Sequence, residues 1–318
     1  NDQGRSESTD ERTQNTKDQM SYQLIRTTLE KYAPDLFRAL YPRLYRGADN
    51  WCSPAIPATH YAATLDAWCT GLDVNLYTQM VAVTAARLLE NGAPAFHIGR
   101  DLAEALARTE APESLRWPDM SLPFPAGIFL LPCGLVKDHA GRAYDFVGWC
   151  RVVAGQTVSI PQGRPIAFGN DALIFTTASI DDPHFAGLVK SLDATTWAQA
   201  RIPELDSDVS NLVADERDVI NHLARIAINA LLTFDARPEL REPGARVKTK
   251  TKHRGRRETW SPNWVGRSYS ISRQTATGTH ASPRMHWRRG HWRMQPHGPN
   301  RSEHKLIWIE PVLIGGSE

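Results

Sequence analysis

Apolar positions along the first part of the chain keep helical spacing. The segment "LIRTTLEKYAPDLFRALYPRLY" carries Leu24, Leu29, Leu36, Leu40 and Leu44 at intervals suited to amphipathic helices, with breaks at Pro34 and Pro42. "LDAWCTGLDVNLYTQMVAVTAARLLENG" predicts a clear helix that stops at Asn91-Gly92, a pair suited to closing a last turn. "GRDLAEALART" predicts a shorter one. Ahead of these, residues 1–19 offer no apolar side chain to bury and are expected to form a disordered tail. Residues 20–120 therefore read as a helical module.

At Leu122 the period changes. "AGIFLLPCGLV" and "AYDFVGWCRVV" are β-type runs, and the intervening "KDHAGR" suits a hairpin loop through Asp138 and Gly141. "ALIFTTASI" predicts a third strand. The helical period then returns, with Ile220, Leu223, Ile226, Ala227, Ala230 and Leu231 forming an apolar stripe, Asp208 or Ser210 as cap and Pro238 as terminator. Residues 121–240 read as an α+β core. "REPGARVKTKTKHRGRRETW" packs poorly on paper and is expected to be a basic linker or arm over 241–260. Residues 261–318 read as a basic, β-rich C-terminal domain built from "WVGRSYSISR", "RMHWRRGHWRM" and "KLIWIEPVLIG", with Pro311 marking an edge or a bulge. The expected class is α+β: a helical N-terminal module, a central antiparallel hairpin or sheet with a packed helix, and a basic β-rich end.

Charge sharpens this picture. Residues 241–308 hold sixteen lysines and arginines against three acids, an excess of 13 positive charges, so at a net charge of +2 the rest of the chain carries −11. An acidic body with a strongly basic end points to a polyanionic partner, most simply nucleic acid. Lys248, Lys250, Lys252, Arg254, Arg256 and Arg257 form the accessory part of this basic surface, as an extended arm on phosphates or a surface loop. No run of 18 apolar residues occurs, so no membrane-spanning helix is expected, and the polar first twenty residues do not resemble a signal peptide. Cys52, Cys69, Cys133 and Cys150 lack CxxC spacing and read as reduced thiols of a cytoplasmic protein.

The chemistry concentrates in "MHWRRGHWRM", residues 285–294, where two histidines, two tryptophans and three arginines surround one glycine. On an unbroken strand His286 and His291 would point to opposite faces. A bulge or bend at Gly290 would shift the register by one, gathering His286, Arg288 and His291 on one side and Trp287 and Trp292 on the other. Three readings follow. His286 and His291 could act as acid and base in metal-independent RNA cleavage, with Arg288 and Arg289 on the phosphate. Arg288, Arg289, Arg293 and Trp292 could instead bind nucleic acid without cutting it. Or the arginines could brace the fold by stacking on the tryptophans. An orienting carboxylate, which an efficient histidine pair needs, is missing from the neighbouring sequence. His280, His286, His291, His297 and His304 are too widely spaced, and too close to arginines, to suggest a metal site. No cofactor motif is present: neither a Walker A sequence, nor GxSxG, nor GxGxxG in a strand-turn-helix setting.

The core His286, Arg288, Arg289, Gly290, His291 and Trp292, followed by "QPHGPNRSEHK" and a closing strand with Trp308 and Pro311, resembles the C-terminal signature of a type V-A anti-CRISPR family. The resemblance is to the family's second-numbered member and its homologues on phages, plasmids and other mobile elements. "GIFLLPCGLV" and "INALLTFDARPEL" are more loosely similar to the family's mid-chain strand and last helix. The resemblance implies a protein of the bacterial host cytoplasm that recognises the nascent N-terminal peptide of its target during translation. It would promote degradation of the encoding messenger RNA, with RNA or a ribosome–nascent-chain complex as partner and no membrane involved. It also implies structural roles for Gly290, Trp308 and Pro311. An autonomous ribonuclease and a plasmid or phage nucleic-acid-binding protein without catalysis are the other two expectations.

Overall fold

A computed structural model describes residues 50–53, 56–58, 60, 61, 64, 76–110, 122–159, 165–169, 171–179, 185–191, 214–250, 256–260, 262–274 and 285–314. The elements in chain order are α1 (Leu76–Glu90), β1 (Ala95–Ile98), α2 (Arg100–Ala107), β2 (Ala126–Leu130), β3 (Phe146–Val152), β4 (Thr157–Val158), β5 (Ile166–Ala167), β6 (Ala172–Ala178) and β7 (Phe185–Ser191). There follow α3 (Ala214–Ala236), β8 (Arg241–Glu242), β9 (Arg246–Lys250), β10 (Arg256–Trp260), β11 (Asn263–Val265) and β12 (Arg273–Gln274), then β13 (His286–Arg288), β14 (His291–His297), β15 (Glu303–Ile309) and β16 (Val312–Ile314).

Continuous apolar strands require cover on both faces, and here helices supply it. Seven strands form one mixed sheet in the order β7-β6-β3-β2-β1-β11-β8. The pairs β7/β6, β6/β3, β3/β2 and β11/β8 are antiparallel, whereas β1 is parallel to both β2 and β11. Side chains alternate between two cores. Ala126, Ile128, Leu130, Phe146, Cys150, Ala172 and Ile174 pack on the face that α1 covers. Phe129, Val147, Trp149, Leu173 and Phe175 pack on the face of α2 and α3. The predicted stripe of α3, from Ile220 to Leu231, is wholly buried in the second core. The fold is α+β.

Several local expectations meet their physical reasons. Helix α1 ends where Gly92 adopts φ +69 and Ala93 N–H donates to the Leu88 carbonyl at 2.7 Å. The loop "KDHAGR" joins β2 and β3 as an antiparallel turn: Asp138 Oδ1 accepts from Arg142 N–H at 2.9 Å, and Gly141 takes φ +84. Cys52, Cys133 and Cys150 are free thiols. The expected helices over 24–44, the caps Asp208 and Ser210, Cys69 and the tail 1–19 lie outside the described residues.

Two readings change. β1, "AFHI", stands inside the stretch read as helical, yet it is a central strand between β2 and β11. The sheet thus draws strands from residues on both sides of 120, 240 and 260. The basic stretch over 241–260 is not simply an arm or a loop. Its β9 and β10 pair as an antiparallel ribbon from Arg246↔Trp260 to Lys250↔Arg256, so the Lys/Thr alternation is strand alternation.

Candidate functional site

Residues 286–314 form one bent β-hairpin. β14 pairs with β15 from His297↔Glu303 to His291↔Ile309, and β13 pairs with β16 from Arg288↔Val312 to His286↔Ile314. The register is the same in both halves. The expected one-residue shift at Gly290 is therefore absent: the hairpin bends there without an extra residue. Its two strands break opposite each other, at Arg289-Gly290 and at Glu310-Pro311.

Close approach explains the glycine. Gly290 leaves the hairpin ladder to pair with the end of α2: its N–H donates to the Arg108 carbonyl at 3.2 Å, and Glu110 N–H donates to the Gly290 carbonyl at 3.0 Å. A Cβ at this position would lie 2.6 Å from Thr109 Oγ1 and 2.7 Å from Pro311 Cδ. The bend turns the strand about its axis. His286, Arg288, Arg289, His291 and Arg293 are exposed, Trp287 is half-buried, and Gly290 and Trp292 are buried.

The indoles that face inward have their donors satisfied. Trp292 Nε1–H donates to Asn229 Oδ1 at 2.9 Å. Asn229 on α3 in turn donates through Nδ2 to the carbonyls of Leu106 and Thr109, each at 3.0 Å, which ties α3 to the end of α2. Trp308 Nε1–H donates to Thr109 Oγ1 at 3.1 Å, and that hydroxyl donates to the Ala105 carbonyl at 2.8 Å. The rings of Tyr269, Trp308 and Trp292 stack in series, with centroids 5.7 and 6.0 Å apart. Tyr269 Oη–H donates to Glu310 at 2.9 Å, and Arg237 reaches the same carboxylate. Burial first, then the Glu310 charge, raises the Tyr269 phenol above its ordinary range, so it stays protonated and donating.

The outward side is cationic. The Arg108 guanidinium lies over the Trp287 ring at 4.4 Å. Arg289 pairs with Glu110 at 3.2 Å. Arg225 on α3 faces the same place, and burial first, then the charge of Arg289, depresses its pKa. Together with Thr109 these residues line a cleft of about 270 Å³. Farther along the hairpin His297 Nδ1 lies 3.2 Å from its cross-strand neighbour Glu303. His286 and His291 stand on different strand pairs, and among the described residues no carboxylate pairs with His291. Among the described residues, no three metal-ligating side chains stand together.

Of the residues singled out in the sequence, His286, Arg288, Arg289, His291 and Arg293 share the outward side of the hairpin, whereas Trp292 faces the core. Trp308 is buried beside it, and Pro311 packs against Gly290. Lys248, Lys250, Arg256 and Arg257 lie on the β9–β10 ribbon, and Lys252 and Arg254 fall outside the described residues. Sequence reasoning missed Arg108, Glu110, Arg225, Asn229 and Tyr269. Only Asn229 left a signal there, as a lone amide inside the apolar run "RIAINALLTF".

Residues 96–316 match the model of the anti-CRISPR type V subtype A2 family (AcrVA2-like). The chain belongs to that family. The match to the type V subtype A2 family begins in β1 and runs through α2, α3 and the whole bent hairpin, so every residue of the site lies within it, while α1 precedes it. No curated protein and no solved structure matches the chain. Among the described residues, no helix is long and apolar enough to cross a membrane.

Proposed function

We propose that this anti-CRISPR family member is a mobile-element regulator that recognises a nascent polypeptide during translation and promotes loss of the message encoding it. Its family name makes the message of a type V-A effector nuclease the first target to try. One observation carries the reading: the bent hairpin turns Trp292 and Trp308 into the core while His286, Arg288, Arg289, His291 and Arg293 stand in solvent. Solvated arginines held on a braced strand suit the phosphates of RNA in a ribosome–nascent-chain complex. The acidic remainder of the chain is repelled by that RNA, which leaves it to the emerging peptide. In this reading the cutting is done by a host nuclease.

Translation dependence tests this. Reporter messages would carry the first codons of a type V-A effector, and their half-lives would be measured with and without this protein. The half-life should shorten for the native reading frame and for a synonymous recoding. It should not change when the start codon is removed or the frame is shifted. Equal shortening of the frameshifted message would sink the nascent-peptide reading.

A further inference from the structure

The cleft at the end of α2 has a composition that bracing alone leaves unexplained. Arg108, Arg225 and Arg289 meet there against one carboxylate, Glu110, so the formal balance is +2. The Arg289–Glu110 pair is 78% and 60% exposed on its two sides, and a pair so open to water is held weakly and yields to a competing anion. Arg225 and Arg289 repel each other across the space, with Arg225 half-buried. Glu110 offsets part of this repulsion, and the net cationic space that remains favours a further anion. Guanidinium forks match phosphate oxygens in pairs, which a lysine cannot do.

The remaining wall is planar. Arg108 lies over the Trp287 ring at 4.4 Å, so the indole backs the guanidinium and the guanidinium's outer face is left to meet a base. Flat aromatic and guanidinium faces stack unpaired bases and have little use for an isolated phosphate. At about 270 Å³ the cleft admits one nucleotide, whereas a paired helix hides its bases from such a wall. We propose that this cleft seats one nucleotide of single-stranded RNA, its phosphate between Arg225 and Arg289 and its base against the Trp287–Arg108 wall. The inference rests on the reading that the protein engages RNA, and gives that contact a defined site and an unpaired substrate.

The test uses the purified full chain and a short, fluorescently labelled single-stranded RNA, read by anisotropy. Arg225→Gln and Trp287→Ala should each weaken binding about tenfold, the scale expected for one forked phosphate contact or one stacked base. Arg301→Ala, on the tip of the hairpin, should change it little. Arg225→Lys keeps the charge without the fork and should remain weak, while Trp287→Phe should recover most of the affinity. These two conservative variants keep the test decisive if the harsher ones melt early. The duplex form of the same RNA should compete poorly, and so should poly-glutamate. Wild-type affinity in both Arg225→Gln and Trp287→Ala would overturn the proposal. So would absence of RNA binding by the wild type, or displacement by poly-glutamate at matched charge, which would make the cleft an acidic-peptide site. The assay involves no translation, so it separates from the reporter experiment. RNA binding that needs the cleft, without message loss, removes only the regulatory reading; message loss that survives Arg225→Gln and Trp287→Ala with RNA affinity unchanged removes only the cleft.

Discussion

At the scale of single residues, Gly290 and Trp292 explain why the motif has the composition it does. The glycine is required by contact rather than by backbone conformation, since its added Cβ would meet Thr109 Oγ1 at 2.6 Å and Pro311 Cδ at 2.7 Å. Gly290→Ala should therefore destabilise the fold by about 1–3 kcal/mol, as overpacking typically does, measured by urea denaturation. An unchanged midpoint would mean that the hairpin is not pressed against α2. Trp292→Phe removes the N–H donor together with part of the indole's volume, leaving Asn229 Oδ1 buried without its 2.9 Å partner. That loss should cost about 1–3 kcal/mol, and Trp292→Phe combined with Asn229→Ala should cost less than the two singles summed. Strict additivity would show that the pair is not coupled. Trp292 was legible in the sequence as important, but its direction was not. Strand alternation alone cannot tell which face of a two-sided motif meets the core when the strand bends.

At the scale of elements, the strands β2, β3 and β6 were legible as short apolar, β-type runs, and the helices α1, α2 and α3 by their helical period. β1 was not: four residues are too few to show a period, and the sheet, not the local sequence, decides that "AFHI" is extended. The hairpin falls between these cases. "KLIWIEPVLIG" announced a strand and Pro311 a break, but the pairing that makes β13–β14 and β15–β16 one bent ribbon depends on residues far apart in sequence. Its anchorage through Asn229 and Thr109 ties β14 and β15 to α2 and α3. Amide hydrogen exchange should therefore show β14 around Trp292 opening together with the middle of α3 as one cooperative unit. Exchange of β14 at the rate of a free ribbon, with α3 still protected, would contradict this.

At the scale of the molecule, charge and burial set the response to solution conditions. Burial lowers the pKa of His97, in β1, from 6.5 to about 4 and that of His60 to about 3. Both imidazoles are neutral in the fold but bind protons in the unfolded chain below about pH 6.5, so the unfolded state holds more protons between there and pH 4. Stability should be full above pH 6.5 and fall as the pH drops toward 4, by on the order of 3 kcal/mol for His97. His97→Gln should flatten that slope in denaturation series across the window; a slope identical to wild type would assign the acid loss elsewhere. The same scale governs function. The excess of 13 positive charges over residues 241–308 was visible in the sequence, whereas the meeting of Arg108 and Arg225 with the motif required the fold.

RNA contact is proposed for the outward face of the bent hairpin, and message lifetime in cells reads it out. The half-life of the effector-leader reporter message would be compared in cells making the wild type or a variant carrying Arg288→Ala, His291→Ala and Arg293→Ala, all three exposed and away from the buried indoles. The variant should melt within a few degrees of wild type yet leave the message as long-lived as in cells without the protein. A folded variant that shortens the message as fully as wild type would contradict this.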